Sequence, residues 1–178
     1  MKVYSSQRKI VLDTLEETGT YQVKKAYIHE KYEDVACVMF HAYDWFVKQM
    51  THLHKPIGAD YPVWHSLNTS YLTQGEDTCL LELEIPESKL ILFNNHGWER
   101  VLQMNYVGHD LDDEKAIDDM LRKRGISTGS SVFNSPHYPM EKRAILKSWP
   151  RIFDLTNAKV IRAATWSIEA DWIKSFKA

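Results

Sequence analysis

The chain of 178 residues has little cysteine, little glycine and no surplus of charge of either sign, and each shortage removes a class of protein. Its two cysteines, Cys37 and Cys79, fall in an expected helix and an expected strand, and neither stands in a Cys-x-x-Cys or Cys/His zinc spacing. Both have apolar neighbours, so buried free thiols are expected rather than the staples of a secreted scaffold. Seven glycines supply no Walker loop, no dinucleotide-binding glycine fingerprint and no Gly-x-Ser-x-Gly elbow. Lysines and arginines number 22 against 24 aspartates and glutamates, a formal net charge of −2. A nucleic-acid binder needs a basic excess to neutralise phosphates, so the charge balance argues against that partner. The nearest basic run, Arg122-Lys123-Arg124, closes a helix that opens with acids and complements its dipole. No apolar run approaches the ~20 residues of a membrane helix, so no membrane partner is expected. The opening six residues lack the apolar stretch of a signal peptide, and a cytoplasmic location is expected.

What is present is the make-up of an ordinary globular protein: 44% hydrophobic residues, with six Trp and nine Tyr. One domain is expected at this length. Residues 2–5 read as a strand, Ser6 as the cap of a helix running to Glu17 and stopped by Gly19, and residues 20–23 as a second strand. A helix is expected over 34–52, where Val35, Val38, Met39, Ala42, Trp45, Phe46 and Met50 recur at helical spacing. Residues 61–66 look extended, with Pro62 favouring a strand start or a sheet edge.

The clearest hairpin signal is the period-two alternation over 79–85, turn chemistry in Pro86-Glu87-Ser88, and a strand over 90–93. Asn95 can cap a helix bearing Trp98, Val101, Leu102 and Tyr106. Residues 112–124 predict a helix with acids first, bases last and Gly125 after it. Residues 126–138 read as a long loop, and Pro139 opens a helix to about Trp149. Residues 160–166 are β-rich, and a short helix is expected from Glu169 onward. Strands and helices mix without a βα period, which predicts an α+β fold with a small mixed or antiparallel sheet, a strand-helix-strand start and flanking helices.

The candidate chemistry is sparse. His52-x-His54 does not share a helix face, and His29, His41 and His65 stand at no ligand spacing to it, so no metal site is expected. Asp110, Asp112, Asp113 and Glu114 suit a helix N-terminus, lacking a calcium loop's central glycine. Glu82 and Glu84 share a strand face, as solvated neighbours or as an acid–base pair. The polar and aromatic residues Tyr4, Ser5, Gln7, Tyr61, Trp64, His65 and Ser66 supply aromatic walls and directed hydrogen bonds. Such groups suit a ligand pocket, and they equally suit core packing with hydroxyls at its rim.

The segments Val3-Tyr4-Ser5-Ser6-Gln7, Ala42-Tyr43-Asp44-Trp45, Tyr61-Pro62-Val63-Trp64 and Leu80-Leu81-Glu82-Leu83-Glu84-Ile85-Pro86 run in order along the chain. They are followed by Trp98-Glu99-Arg100-Val101-Leu102 and Ser148-Trp149-Pro150-Arg151-Ile152-Phe153-Asp154-Leu155. As a set they resemble an uncharacterised family of small bacterial and phage-associated proteins, a domain of unknown function. Asn94 and Ser66 depart from that pattern, standing where an aspartate and an aromatic are usual.

A more distant analogy is to compact ADP-ribosyltransferase-like domains. It implies a clamp on a nicotinamide nucleotide by Tyr4 and Gln7, then Trp64 and Ser66, with Glu169 as the catalytic carboxylate. The first-strand Arg or His of such enzymes is missing here. The expectation is therefore a noncatalytic intracellular module that binds a small, nucleotide-like molecule or a protein partner through Tyr4, Gln7, Tyr61, Trp64 and Ser66. The alternative is an NAD-using ADP-ribosyltransferase-like enzyme with Glu169 catalytic. No cofactor and no oligomeric state can be assigned from these residues.

Overall fold

Strand β1 (Lys2–Arg8) organises the sheet: Val3 and Ser5 are fully buried, while Lys2 and Arg8 at its ends are exposed. The computed structural model describes residues 1–32, 36–72, 75–126 and 129–177. Seven residues of β1 pair antiparallel with β4 (Thr78–Glu84), from Lys2↔Glu84 to Arg8↔Thr78. On its other side β1 meets β3 (Val63–Ser66) through Tyr4↔Ser66. With β5 (Ile91–Asn94), β6 (Ile161–Thr165) and β8 (Ile173–Lys177) the order is β5-β6-β3-β1-β4-β8. A separate two-stranded ribbon joins β2 (Thr20–Gln22) to β7 (Ser167–Glu169). The architecture is α+β with an antiparallel-rich sheet, as the composition and element order predict.

The helices are α1 (Ile10–Thr18), α2 (Lys25–Tyr32), α3 (Ala36–Gln49), α4 (Asn95–Leu102), α5 (Leu111–Lys123), α6 (Gly129–Phe133) and α7 (Pro139–Ser148). The chain divides into two compact units. One comprises Met1–Ala36, Tyr43–Leu92 and Arg162–Ala178; the other comprises Cys37–Ala42 and Phe93–Ile161. In the first, Val3, Val11, Leu15, Val63, Cys79, Leu81, Leu83, Ile85, Ala163 and Ile168 form the core. Cys79 is a buried free thiol, and burial raises its pKa. The second is helical, with Trp98, Val101, Leu121, Val132, Ile145, Trp149 and Ile152 buried and Phe133 stacked on Trp149 at 5.6 Å.

Several expectations need correction. Ser6 caps nothing: ladder pairing holds the chain extended through Arg8, and Lys9 precedes α1 without a side-chain cap. Gly19 does end α1, in the left-handed conformation at φ 75°. The strands at 79–85 and 90–93 exist but are not partners, since β4 lies between β1 and β8 while β5 takes the opposite edge. Alternation marks a half-buried strand without naming its neighbour, and the Glu87–Lys89 connection is a 3-10 turn rather than a two-residue hairpin turn.

β3 is interior, with Pro62 just before it. The expected final helix is a 3-10 turn followed by edge strand β8, paired to β4 from Leu80↔Lys177 to Leu83↔Ile173. The expected loop at 126–138 contains α6, and residues 127–128 lie outside the description. The expected helix over 34–52 is α3, which ends earlier, at Gln49, and is preceded by the unexpected α2. Asp34, Val35 and the side chains of Cys37 and Val38 also lie outside the description.

Candidate functional site

The pocket residues proposed from the sequence are set on both faces of the sheet. Directly opposed residues of antiparallel strands share a face, and neighbours along a strand alternate. Tyr4↔Ser66 and Tyr4↔Glu82 therefore put Tyr4, Trp64, Ser66 and Glu82 on one face, and Gln7, opposite Cys79, on the other. Trp64 packs at 4.9 Å from Phe46 and 5.4 Å from Tyr43. Tyr61 is buried, and its hydroxyl donates to Asp44 at 2.8 Å. Burial, with that carboxylate, drives the phenol pKa upward. Gln7 Nε2 donates to Ser5 Oγ at 2.7 Å, which donates to the Trp64 carbonyl at 3.1 Å. Ser66 is 1% exposed and its hydroxyl has no partner among the described residues. Glu169 ends β7 and accepts from Ser167 Oγ. Gln7 and Trp64 are thus joined through a backbone carbonyl while their side chains point apart.

A concave site lies in the helical unit instead. A cavity of about 580 Å³ is lined by α4, α5, the segment between them and the chain just after α7. Helix α4 is started by Asn94, not the expected Asn95: Asn94 Oδ1 accepts from the His96 N–H at 3.1 Å. Asn95 turns its amide to Glu99 at 2.7 Å. This cap places His96 on the first turn, at the cavity.

Helix α5 is started by Asp110, whose Oδ1 accepts from Asp113 N–H at 2.8 Å. One turn in, Glu114 is buried at 7% exposure. Its Oε2 lies 2.7 Å from His96 Nε2, and its Oε1 accepts the Gly108 N–H at 3.2 Å. A Cβ on Gly108 would sit 2.5 Å from Glu114 Cγ, so the segment can wrap the carboxylate this closely only with glycine there. Arg100 backs the pair, 3.9 Å from Glu114, and makes a two-pronged bond to Asp118 at 2.8 Å. Burial pulls the Arg100 pKa down, but Asp118 and Glu114 outweigh it and the net shift is upward.

Arg151 forms another part of the wall. Its Nη1 donates to Tyr106 Oη and to the Val107 carbonyl, each at 2.7 Å, and its guanidinium lies 5.1 Å from the Tyr106 ring centre. Nε and Nη2 have no protein partner among the described residues. Lys159, exposed on the same cavity, also has none among them. Asp113, beside Arg151, has its pKa lowered by the His109 N–H and, in smaller part, by the Tyr106 hydroxyl and the Arg151 charge, against the cost of desolvation. Asp154 is held below the usual carboxylate range by the side chain and backbone N–H of Thr156. Among the described residues no cluster of three or more His, Cys, Asp or Glu side chains is placed to hold a metal ion.

An α+β chain of this layout defines a fold class, not an activity. The sequence model of the family described as Domain of unknown function (DUF3841) matches residues 2–174. The chain belongs to that family, as the ordered segments from Val3 to Leu155 indicate. No curated protein and no solved structure matches it. Among the described residues, no helix is long and apolar enough to cross a membrane.

Sequence reasoning passed over His96, Glu114, Arg151 and Lys159 as site residues. The available signals were Asn94 two residues before a histidine and Gly108-x-Asp110 before an acidic helix start. Neither spacing reveals that His96 and Glu114 meet, because the segment that folds them together has no periodicity to read.

Proposed function

We propose that the chain is an intracellular, cytoplasmic binding module for a small, nucleotide-like molecule held in the α4–α5 cavity. The observation that carries this reading is Arg151. Its guanidinium, on the cavity wall, is pinned by the Tyr106 hydroxyl, the Val107 carbonyl and the Tyr106 ring, with the Asp113 carboxylate 3.8 Å from Nη1, and its Nε and Nη2 have no protein partner among the described residues. A preorganised fork of this kind suits a phosphate or carboxylate, because little side-chain entropy is lost on binding. Lys159 adds a second cation, while Asn94, Asn157 and Asp154 supply the mixed donors and acceptors that sugar hydroxyls need. A protein partner is the other form of the reading, but a concavity of about 580 Å³ lined with both signs of charge favours a small molecule.

Calorimetry with ADP, ADP-ribose, NAD and inorganic phosphate tests it. Binding by at least one nucleotide is expected, weakened about tenfold, or ~1.4 kcal/mol, by Lys159→Ala. The melting temperature should not change, since Lys159 is exposed and unpaired among the described residues. No binding by any of the four at millimolar concentration, or equal affinity in Lys159→Ala and Arg151→Lys, removes the proposal.

The second reading, an NAD-using ADP-ribosyltransferase-like enzyme, draws on the Glu169 carboxylate held by Ser167 at the end of β7. It requires nicotinamide release from NAD that Glu169→Gln abolishes. Equal release by both proteins, or none by either, discards it.

A further inference from the structure

The binding reading asks nothing of the contact between His96 and Glu114, and that contact has the geometry of a proton-transfer pair. We infer that the cavity hydrolyses the phosphoanhydride of its nucleotide ligand, with His96 as general base and Glu114 as the residue that positions it. The inference rests on the proposed occupancy of the cavity by a phosphate-bearing molecule.

Four features lead there. The imidazole is half exposed on the cavity while its partner carboxylate is only 9% exposed, so one end of the pair is fixed and the other is open. Glu114 is itself held from the Gly108 N–H and from Arg100. A buried carboxylate at 2.7 Å from Nε2 takes the hydrogen of that nitrogen. This tautomer leaves the Nδ1 lone pair as the acceptor, and Nδ1 has no partner among the described residues. Finally, Arg151 lines the same cavity, and its Nε and Nη2, without a protein partner among the described residues, are donors that can neutralise phosphate oxygens as charge builds.

In the step so assigned, a water gives one proton to His96 Nδ1 while its oxygen bonds to the terminal phosphorus. The bridging P–O bond breaks, and its electron pair leaves with the nucleoside monophosphate, which needs no proton to depart as an anion. The imidazolium then returns its proton to solvent. Glu114 stabilises that imidazolium and keeps the ring in register.

The experiment pairs turnover with binding. Phosphate release from ADP is measured for the wild type, His96→Gln and Glu114→Gln, and affinity for the α,β-methylene analogue of ADP is measured for each. The wild type should release phosphate, and His96→Gln should lower the rate about 100-fold or more, the usual scale of a general base, with analogue affinity changed less than threefold. Glu114→Gln should lower kcat about tenfold with KM for ADP and analogue affinity changed less than threefold, the split expected when a group positions the base and does not bind the ligand.

The charged and titratable groups around the cavity are Glu99, Arg100, His109, Asp110, Arg151, Asp154 and Lys159 besides the pair itself. Analogue binding without phosphate release above the His96→Gln background overturns the hydrolytic inference and leaves the binding reading intact. An unchanged kcat in a folded Glu114→Gln also overturns it. Absence of analogue binding by the wild type overturns both.

Discussion

His65 makes acid stability a sharp test of the sheet. Its imidazole is fully buried, and Nε2 lies 2.8 Å from Thr165 Oγ1, which donates to the Ser167 carbonyl. The Thr165 hydroxyl spends its hydrogen on that carbonyl, so Nε2 carries the ring proton and Nδ1 is left without a partner among the described residues. A second proton would put a charge in the core with nothing to receive it. Burial accordingly lowers the pKa from 6.5 to about 3.

The unfolded chain binds that proton below about pH 6.5 and the native chain does not until about pH 3, so stability falls as pH drops through this window. Each unit is worth about 1.36 kcal/mol, so this one group should remove roughly 2–3 kcal/mol between pH 7.5 and 4.5. Urea unfolding of the wild type and His65→Leu at both pH values isolates it, because the carboxylates titrate alike in the two proteins. Whatever the substitution does at pH 7.5, its cost should move by 2–3 kcal/mol in favour of the variant at pH 4.5. A cost that stays constant within about 0.5 kcal/mol would refute the reasoning, showing that the ring reaches water or that its second proton finds a buried acceptor.

Two further outcomes follow from the same accounting of polar groups. Ser66 Oγ is buried and unpartnered among the described residues, so Ser66→Ala should stabilise the fold by about 1 kcal/mol in urea unfolding, by relieving an unmet desolvation cost. A loss of stability instead would mean that the hydroxyl has a partner. Asn94 Oδ1 caps α4, so Asn94→Ala should cost about 1 kcal/mol while Asn94→Asp keeps the cap. Equal unfolding midpoints for the alanine and aspartate variants would show that the cap contributes nothing.

The parts of the fold that could be read from the sequence are those where one residue or one short period decides the outcome. Gly19 ended α1 because a left-handed residue was required there, and Asp110 with Asp112, Asp113 and Glu114 marked the start of α5 because α-helices leave N–H groups unmet at that end. Alternation over β4 was likewise visible, since Cys79, Leu81 and Leu83 are fully buried between less buried neighbours. Pairing was not visible. Which strand lies beside β4 depends on long-range contacts, and Ile173–Lys177 became a strand because an open sheet edge was there to receive it.

Asn94 shows why a site is harder to read than a fold. Asparagine and aspartate at this position can both accept the His96 N–H, so the choice between them preserves the cap. Its consequence lies in charge: asparagine leaves the start of α4 neutral, in a helix with no acid in its first turn. The positive end of α4 is therefore uncompensated at a cavity that also carries Arg151 and Lys159, which favours an anionic ligand more than the aspartate form would. Glu114, the carboxylate nearest His96, is already committed to the imidazole and the Gly108 N–H. The difference between an Asn94→Asp variant and this chain should thus appear in affinity for phosphate groups rather than in the fold, because the backbone hydrogen bond at the cap is common to both.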